Sequence, residues 1–234
     1  MDRNWLRSSA LLLALICVAG WMPVAVAGAM KVKATEKVED AGEVMRTIMN
    51  SPDKSIPKDL LRQSAGVAIF PGVIKGGFFI GGKYGKGLVM RHNPKTGRWS
   101  PPAFYSIAAA SYGLQFGGQS TDLVLVIMNN QGMKGLIKSE FTLGADASVA
   151  AGPVGRKAQA NVDVELKSAI YSYSRSRGAF IGISLEGSKL NSLVEYNEGY
   201  YGKALTPREI LFKGKARAPK SALTLMANMR RYAK

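Results

Sequence analysis

Glycine inside apolar, often β-branched runs is the feature that most restricts what this chain can fold into. From Ala65 onward, Gly66-Val-Ala-Ile-Phe70, Gly76 to Gly82, Gly87 to Arg91 and Leu123 to Met128 read as short strands bounded by Gly, Pro or Asn. The chain holds 26 glycines, and several fall within those runs rather than between them. A glycine within a strand marks a bulge, a bend or the close approach of another backbone. Repeated across strands, the pattern implies a strongly curved, barrel-like sheet. Asn93-Pro-Lys-Thr-Gly97 and Asn129-Asn-Gln-Gly132 have turn composition. Further strands are expected near Ala145 to Ala151, Ile170 to Ser174 and Gly178 to Leu185. None of the intervening segments reads as a crossover helix, so the sheet should be mostly antiparallel.

Helices are expected at both ends. Ala34, Val38, Ala41, Met45 and Ile48 recur in steps of four and three, which puts them on one helical face. Glu36, Lys37, Glu39, Asp40, Glu43 and Arg46 form the opposite face, too near neutrality for a membrane-surface helix. Packing against the domain is the expected role. Ser51 to Pro57 interrupts with two prolines, and Lys58 to Gln63 reads as a second helix with Pro57 in its first turn. Met133 to Ser139 could make a short helix. Later, Thr206-Pro207-Arg208-Glu209 is a capping box, with Gly214 as a stop. Pro219 opens a last helix through Tyr232, with Ala222, Met226, Met229 and Ala233 along one face. The fold class is α+β: a glycine-rich, curved, mostly antiparallel sheet flanked by N-terminal and C-terminal helices.

The first 27 residues read as a secretory signal. Arg3 and Arg7 precede an apolar stretch from Ala10 to Gly20, and Ala25-Val26-Ala27 is a small-x-small cleavage site. Cys17 is preceded by Ile16, where a lipoprotein needs a small residue, so lipidation is not expected. Cleavage after Ala27 would leave no cysteine, and stability would rest on the core alone. The expected organisation is a signal peptide over 1–27, a helical segment over 28–64 that packs on the domain, and the domain itself over 65–234. The expected location is periplasmic or secreted, peripheral to a membrane.

Charge narrows the choice of partner. The formal net charge is +16, and the last 32 residues, Lys203 to Lys234, hold nine basic side chains against one acidic. Such a balance favours an anionic partner. The densest candidates are Lys213, Lys215, Arg217, Lys220, Arg230 and Arg231, with Arg175 and Arg177 next. Tyr171, Tyr173, Arg175 and Arg177 alternate in a way that could suit nucleic acid, but export disfavours that partner, and such alternation is common sheet packing. A bilayer surface needs no special pocket, and each Lys or Arg near anionic lipid contributes about 1 kcal/mol.

Catalytic candidates are few. His92 is the only histidine and is expected at the edge of a turn as an ordinary surface residue. One histidine without cysteine rules out the usual zinc sites. Asp122, Asp146, Asp163, Glu165 and Glu186 show no spacing that singles out an acid–base pair. Asp122, at a strand start, is expected to bond local backbone. Ser106, Ser111 and Ser148 have no partner base. Gly77, Gly82 and Lys83 match the first positions of a phosphate-binding loop, but Tyr84 stands where Ser or Thr should be, and no helix follows. The expectation is a non-enzyme without cofactor or metal.

Three stretches then carry a resemblance. Gly113 to Asp122 (GLQFGGQSTD), Phe141 to Arg156 (FTLGADASVAAGPVGR) and Tyr173 to Gly187 (YSRSRGAFIGISLEG) are similar to the signature of the SYLF-domain family. So are Ile56-Pro-Lys-Asp-Leu-Leu61 leading into Ala65-Gly-Val-Ala-Ile-Phe-Pro71, together with Lys75 to Phe78 and Trp99 to Ser106. The resemblance implies binding to membrane lipid, with phosphoinositides as the eukaryotic ligands and actin binding in some fungal members. Eukaryotic members use a basic N-terminal segment; here only Lys31 and Lys33 match that character. For an exported chain, anionic phospholipid is the expected ligand. The alternative is a structural or protein-interaction module of the envelope, with actin a partner by resemblance only.

Overall fold

The computed structural model describes residues 28–51, 55–77, 80–112, 119–138, 140–154, 168–176, 179–180 and 182–234. The expected signal segment 1–27 with Cys17, and Asp163, Glu165 and Arg177, lie outside the described residues. Helix α1 covers residues 28–49, and α2 spans Lys58–Gln63, after Pro57 at its N-cap. The strands are β1 (Gly66–Gly77), β2 (Ile80–Asn93), β3 (Arg98–Trp99), β4 (Ala103–Tyr112) and β5 (Gln119–Ile127). After α3 (Asn130–Gly135) come β6 (Phe141–Thr142), β7 (Val149–Ala151), β8 (Ile170–Ser176), β9 (Ala179–Phe180) and β10 (Lys189–Ser192). Helices α4 (Val194–Tyr201), α5 (Pro207–Leu211) and α6 (Lys220–Tyr232) complete the chain.

The strand order is β6-β10-β4-β2-β1-β5-β8-β7, with β3 beside β2 and β9 beside β8. Every pairing is antiparallel except β7 with β8. The connectivity requires the expected curl. In a flat sheet the edge strands β6 and β7 would lie about 34 Å apart, given roughly 4.8 Å between neighbours. Yet Thr142 and Val149 are close in sequence, and a tight turn joins them, with Asp146 N–H on the Thr142 carbonyl at 2.9 Å and Gly144 at φ 91°. The sheet therefore bends round until its two ends meet through that turn.

Glycine makes the bend possible at specific places. A Cβ on Gly87 would sit 2.1 Å from the Ile69 carbonyl oxygen, so no side chain fits where β1 crosses β2. Close by, Gly72 (φ 62°) follows Pro71, and the register of β1 shifts against both β2 and β5. Its N–H is satisfied by Asp122 Oδ1 at 3.0 Å. Asp122 therefore bonds backbone across the sheet, not locally as its position suggests. The bulge also reverses the parity of β1. Before it, Val67 and Ile69 face one layer and Ala68 and Phe70 the other; beyond it, Val73 shares the layer of Phe70.

Both faces of the sheet are buried. One packs against α1, α2, α4 and α6, through Val67, Ile69, Leu88, Met90, Val124 and Val126. All five apolar residues expected along α1 are fully or almost fully buried there, and Val38, Met45 and Ile48 each contribute about 1.5–3 kcal/mol. On the other face Phe70, Tyr105, Leu123 and Leu125 pack under Met133 and Leu136 of the α3 region and Ile210 and Leu211 of α5. Burial on two faces explains why β5 reads as a continuous apolar run.

Several segments differ from expectation, among them Gly178 to Leu185, where among the described residues only Ala179–Phe180 forms a strand. Of the strand expected from Gly76 to Gly82, the described residues belong to two long neighbours: Gly76 and Gly77 close β1, which the bulge at Pro71-Gly72 does not end, and Ile80 to Gly82 open β2. Strands β4 and β10 and helix α4 carry no strong sequence signal. In α4, polar contacts replace an aliphatic stripe: buried Asn197 accepts the Phe104 N–H at 2.9 Å, and Tyr200 packs edge-on to Phe104. His92 is buried (2 % exposed), not a surface residue. Its Nδ1 donates to the Ser64 carbonyl at 2.9 Å and its ring stacks on Trp99 at 4.4 Å, because β3 turns Trp99 back across it.

Candidate functional site: a basic groove between two short helices

The basic groove lies where α3 and α5 meet over one face of the sheet. Asn129 caps α3 by accepting the Gly132 N–H at 2.8 Å. Met133 and Leu136 point inward, which leaves Lys134 and Lys138, one turn apart, on the outer side. Helix α5 starts with the expected capping box, Thr206 with Glu209, and Pro207 in its first turn. Burial of Ile210 and Leu211 turns Arg208 and Lys213 outward and leaves Phe212 half-buried.

Between them is a groove of about 610 Å³ lined by Lys134, Ile137, Lys138, Arg208, Phe212 and Lys213. A smaller recess of about 300 Å³ shares Lys134 and Lys138 and adds Gln131, Phe141 and Asp146. A fifth cation lies against the groove wall: the Arg91 guanidinium lies 4.8 Å from the centre of the Phe212 ring. Arg91 Nε is buried without a hydrogen-bond partner among the described residues. None of Lys134, Lys138, Arg208 and Lys213 makes an ion pair among the described residues. Four uncompensated charges around two apolar side chains suit an anionic group attached to an apolar one.

The structure divides the basic cluster expected from sequence. Lys213 belongs to the groove. Lys215 is turned to Glu209, at 2.8 Å, and with the Thr206 N–H and hydroxyl holds that carboxyl down at about 2. Arg217 is exposed between α5 and α6, and Lys220 is exposed at the first position of α6. Arg230 and Arg231 sit at the other end of α6, about 15 Å further along the helix, and the Arg231 guanidinium lies 5.5 Å from the Tyr232 ring centre. Arg175 is half-buried in β8, in register with Asp122 and Phe180. Sequence reasoning missed Lys134, Lys138 and Arg208. The four-residue spacing of the two lysines was the available signal, while Arg208 was hidden inside its capping box.

The described residues hold no group of three His, Cys, Asp or Glu placed to bind a metal. Asp122 and Asp146 each accept a backbone N–H, from Gly72 and Thr142. Burial lowers the pKa of His92. Among the described residues no helix is long and apolar enough to cross a membrane.

Fold and groove thus define an α+β domain with a curled sheet covered on both faces and cations gathered at one groove. The sequence model of the Ysc84 family, described as "Las17-binding protein actin regulator", matches residues 108–232, and the chain belongs to this family, the SYLF family of the sequence resemblance. It is 38% identical over 165 residues to SH3 domain-containing YSC84-like protein 1 of Xenopus laevis, covering 70% of this chain and 49% of the relative. The human protein of the same name is 35% identical over 181 residues (77% and 52%). Protein YSC84 of Saccharomyces cerevisiae is 34% identical over 200 residues (81% and 42%). The chain spans about half the length of the curated relatives it matches.

Proposed function

We propose that the chain is a non-catalytic, peripheral binder of anionic membrane lipid, exported to the cell envelope by its first 27 residues. The observation that carries this reading is the convergence of Lys134, Lys138, Arg208 and Lys213, all without an ion-pair partner among the described residues, around Ile137 and Phe212. Phosphate oxygens would take the cations, and the two apolar side chains would meet the glycerol and upper acyl region. At about 1 kcal/mol per cation near an anionic surface, the four groove charges supply about 4 kcal/mol, close to a thousandfold in affinity. Screening over about 8 Å at physiological salt makes that attraction salt-sensitive.

Co-sedimentation with vesicles tests it. Capture by phosphatidylglycerol-containing vesicles, its absence with pure phosphatidylcholine, and its loss at high salt are expected. Lys134→Glu, Lys138→Glu and Lys213→Glu together should abolish capture, while Arg230→Ala with Arg231→Ala should weaken it far less. Equal capture of the triple variant would remove the groove from the reading.

The family description and the yeast relative named LAS seventeen-binding protein 3 favour a second reading, in which the same basic surface meets a protein. Pelleting with filamentous actin, insensitive to lipid, would put that reading first.

A further inference from the structure

The far end of the sheet carries a second unusual surface. Groove and arm lie at opposite ends of β1. At the groove end, Gly66 pairs with Arg91 and Ile127 and lies under Met133 of α3. At the other end, beyond the bulge, Lys75 pairs with Lys83 and with Gln119. Nine residues separate Gly66 from Lys75, about 30 Å of strand.

Two features of this arm run against ordinary sheet economy. Lys75 and Lys83 stand directly opposite each other on one face, a like-charge pairing that destabilises a sheet. On the other face Ile74 stands opposite Tyr84, and they are 61 % and 49 % exposed. The parity reversal at Gly72 puts Ile74 on the side of the sheet covered by α1, α2, α4 and α6, but at a point those helices leave bare. Burial and the charge of Lys75 together lower the pKa of Lys83, and its Nζ is held by the Ser184 carbonyl. Lys86, next along the strand, is tied to Tyr196. An aliphatic side chain and a tyrosine on one face, with lysines at the neighbouring positions on the other, is the chemistry of a strand pair that enters the headgroup level edge-on. The positive charge selects an anionic bilayer over a neutral one.

We propose that the β1–β2 arm, through Ile74, Tyr84, Lys75 and Lys83, is a second contact for anionic lipid at the end of the sheet opposite the groove, so that one chain bridges two bilayer surfaces. This rests on the lipid-binding reading of the groove and extends it. The two contacts lie about 30 Å apart at opposite ends of the strand, which leaves room for each to meet a different bilayer.

The test adds the purified protein to phosphatidylcholine vesicles containing phosphatidylglycerol and follows co-sedimentation and vesicle clustering by light scattering in parallel. Wild-type protein is expected to co-sediment and to cluster vesicles. Ile74→Ser with Tyr84→Ser, both at exposed positions, should keep co-sedimentation but lose most clustering, with an unchanged thermal melt. Tyr84→Trp should show a blue-shifted emission component on anionic vesicles that wild type lacks. Co-sedimentation without clustering by wild type, clustering by the double serine variant equal to wild type, or no vesicle-dependent emission component in Tyr84→Trp overturns the inference and leaves the groove reading in place. Failure to co-sediment at all overturns both.

Discussion

Replacing Gly87 by alanine tests the central claim about this sheet, that glycine lets two strands approach more closely than any side chain allows. The added Cβ would lie 2.1 Å from the Ile69 carbonyl oxygen, 2.6 Å from Phe70 Cδ1 and 2.8 Å from Phe70 Cα. An ordinary contact needs about 1 Å more than the first of these, and two of the three obstacles are backbone. Neither can yield cheaply, since β1 is paired on both sides, with β2 and with β5. Overpacking usually costs about 1–3 kcal/mol; a backbone obstacle puts Gly87→Ala at about 3 kcal/mol or more. With an m-value of about 2–3 kcal/mol/M, the urea midpoint should fall by roughly 1–1.5 M. Two controls grade the effect. Gly85→Ala meets Val73 Cγ2 at 2.8 Å, a side chain able to shift in part, and should cost less. Gly76→Ala meets nothing within 4 Å and should be close to neutral. Midpoints for the three variants that coincide with wild type, or a Gly76 variant as damaged as the Gly87 variant, would refute the reasoning.

Two further outcomes follow from local geometry. Thr206→Ala removes the hydroxyl that accepts the Glu209 N–H at 3.3 Å and should cost about 1 kcal/mol in denaturant titration. Because it loosens α5, it should also weaken vesicle capture through Arg208 and Lys213. His92 is held neutral by burial, with its folded-state pKa below the ordinary 6.5. The unfolded chain therefore takes up the proton first, so His92 adds stability above about pH 6.5 that is lost as pH falls towards the lowered folded-state value. One proton limits the slope to about 1.4 kcal/mol per pH unit, and His92→Gln should flatten it; an unchanged profile would assign the acid sensitivity elsewhere.

Much of the fold was legible because the deciding physics was local. The steps from Ala34 to Ile48, the Thr206-to-Glu209 box and the glycines within strands each state their geometry within a few residues. What escaped depended on partners far away in the chain. Helix α4 rests on Asn197 reaching the backbone of β4, and the histidine beside a turn is buried only because Trp99 folds back over it. The family resemblance was carried by long motifs and is borne out by the match over residues 108–232. The groove was half legible. Charge density along the chain pointed to Lys213, but a groove is made by distance in space. Two of its other cations, Lys134 and Lys138, stand some 75 residues earlier, on and just after a helix whose sequence speaks mainly of its buried side.

The short turn between β6 and β7 acts on the sheet as a string acts on a bow. It ties the two tips of the strand order together, so its length sets how far the sheet must flex. Phe141, at one tip, packs directly against Gly135 of α3, the helix that carries Lys134 and leads into Lys138. Lengthening the turn would slacken the bow, and the spacing between those lysines and Arg208 would change with it.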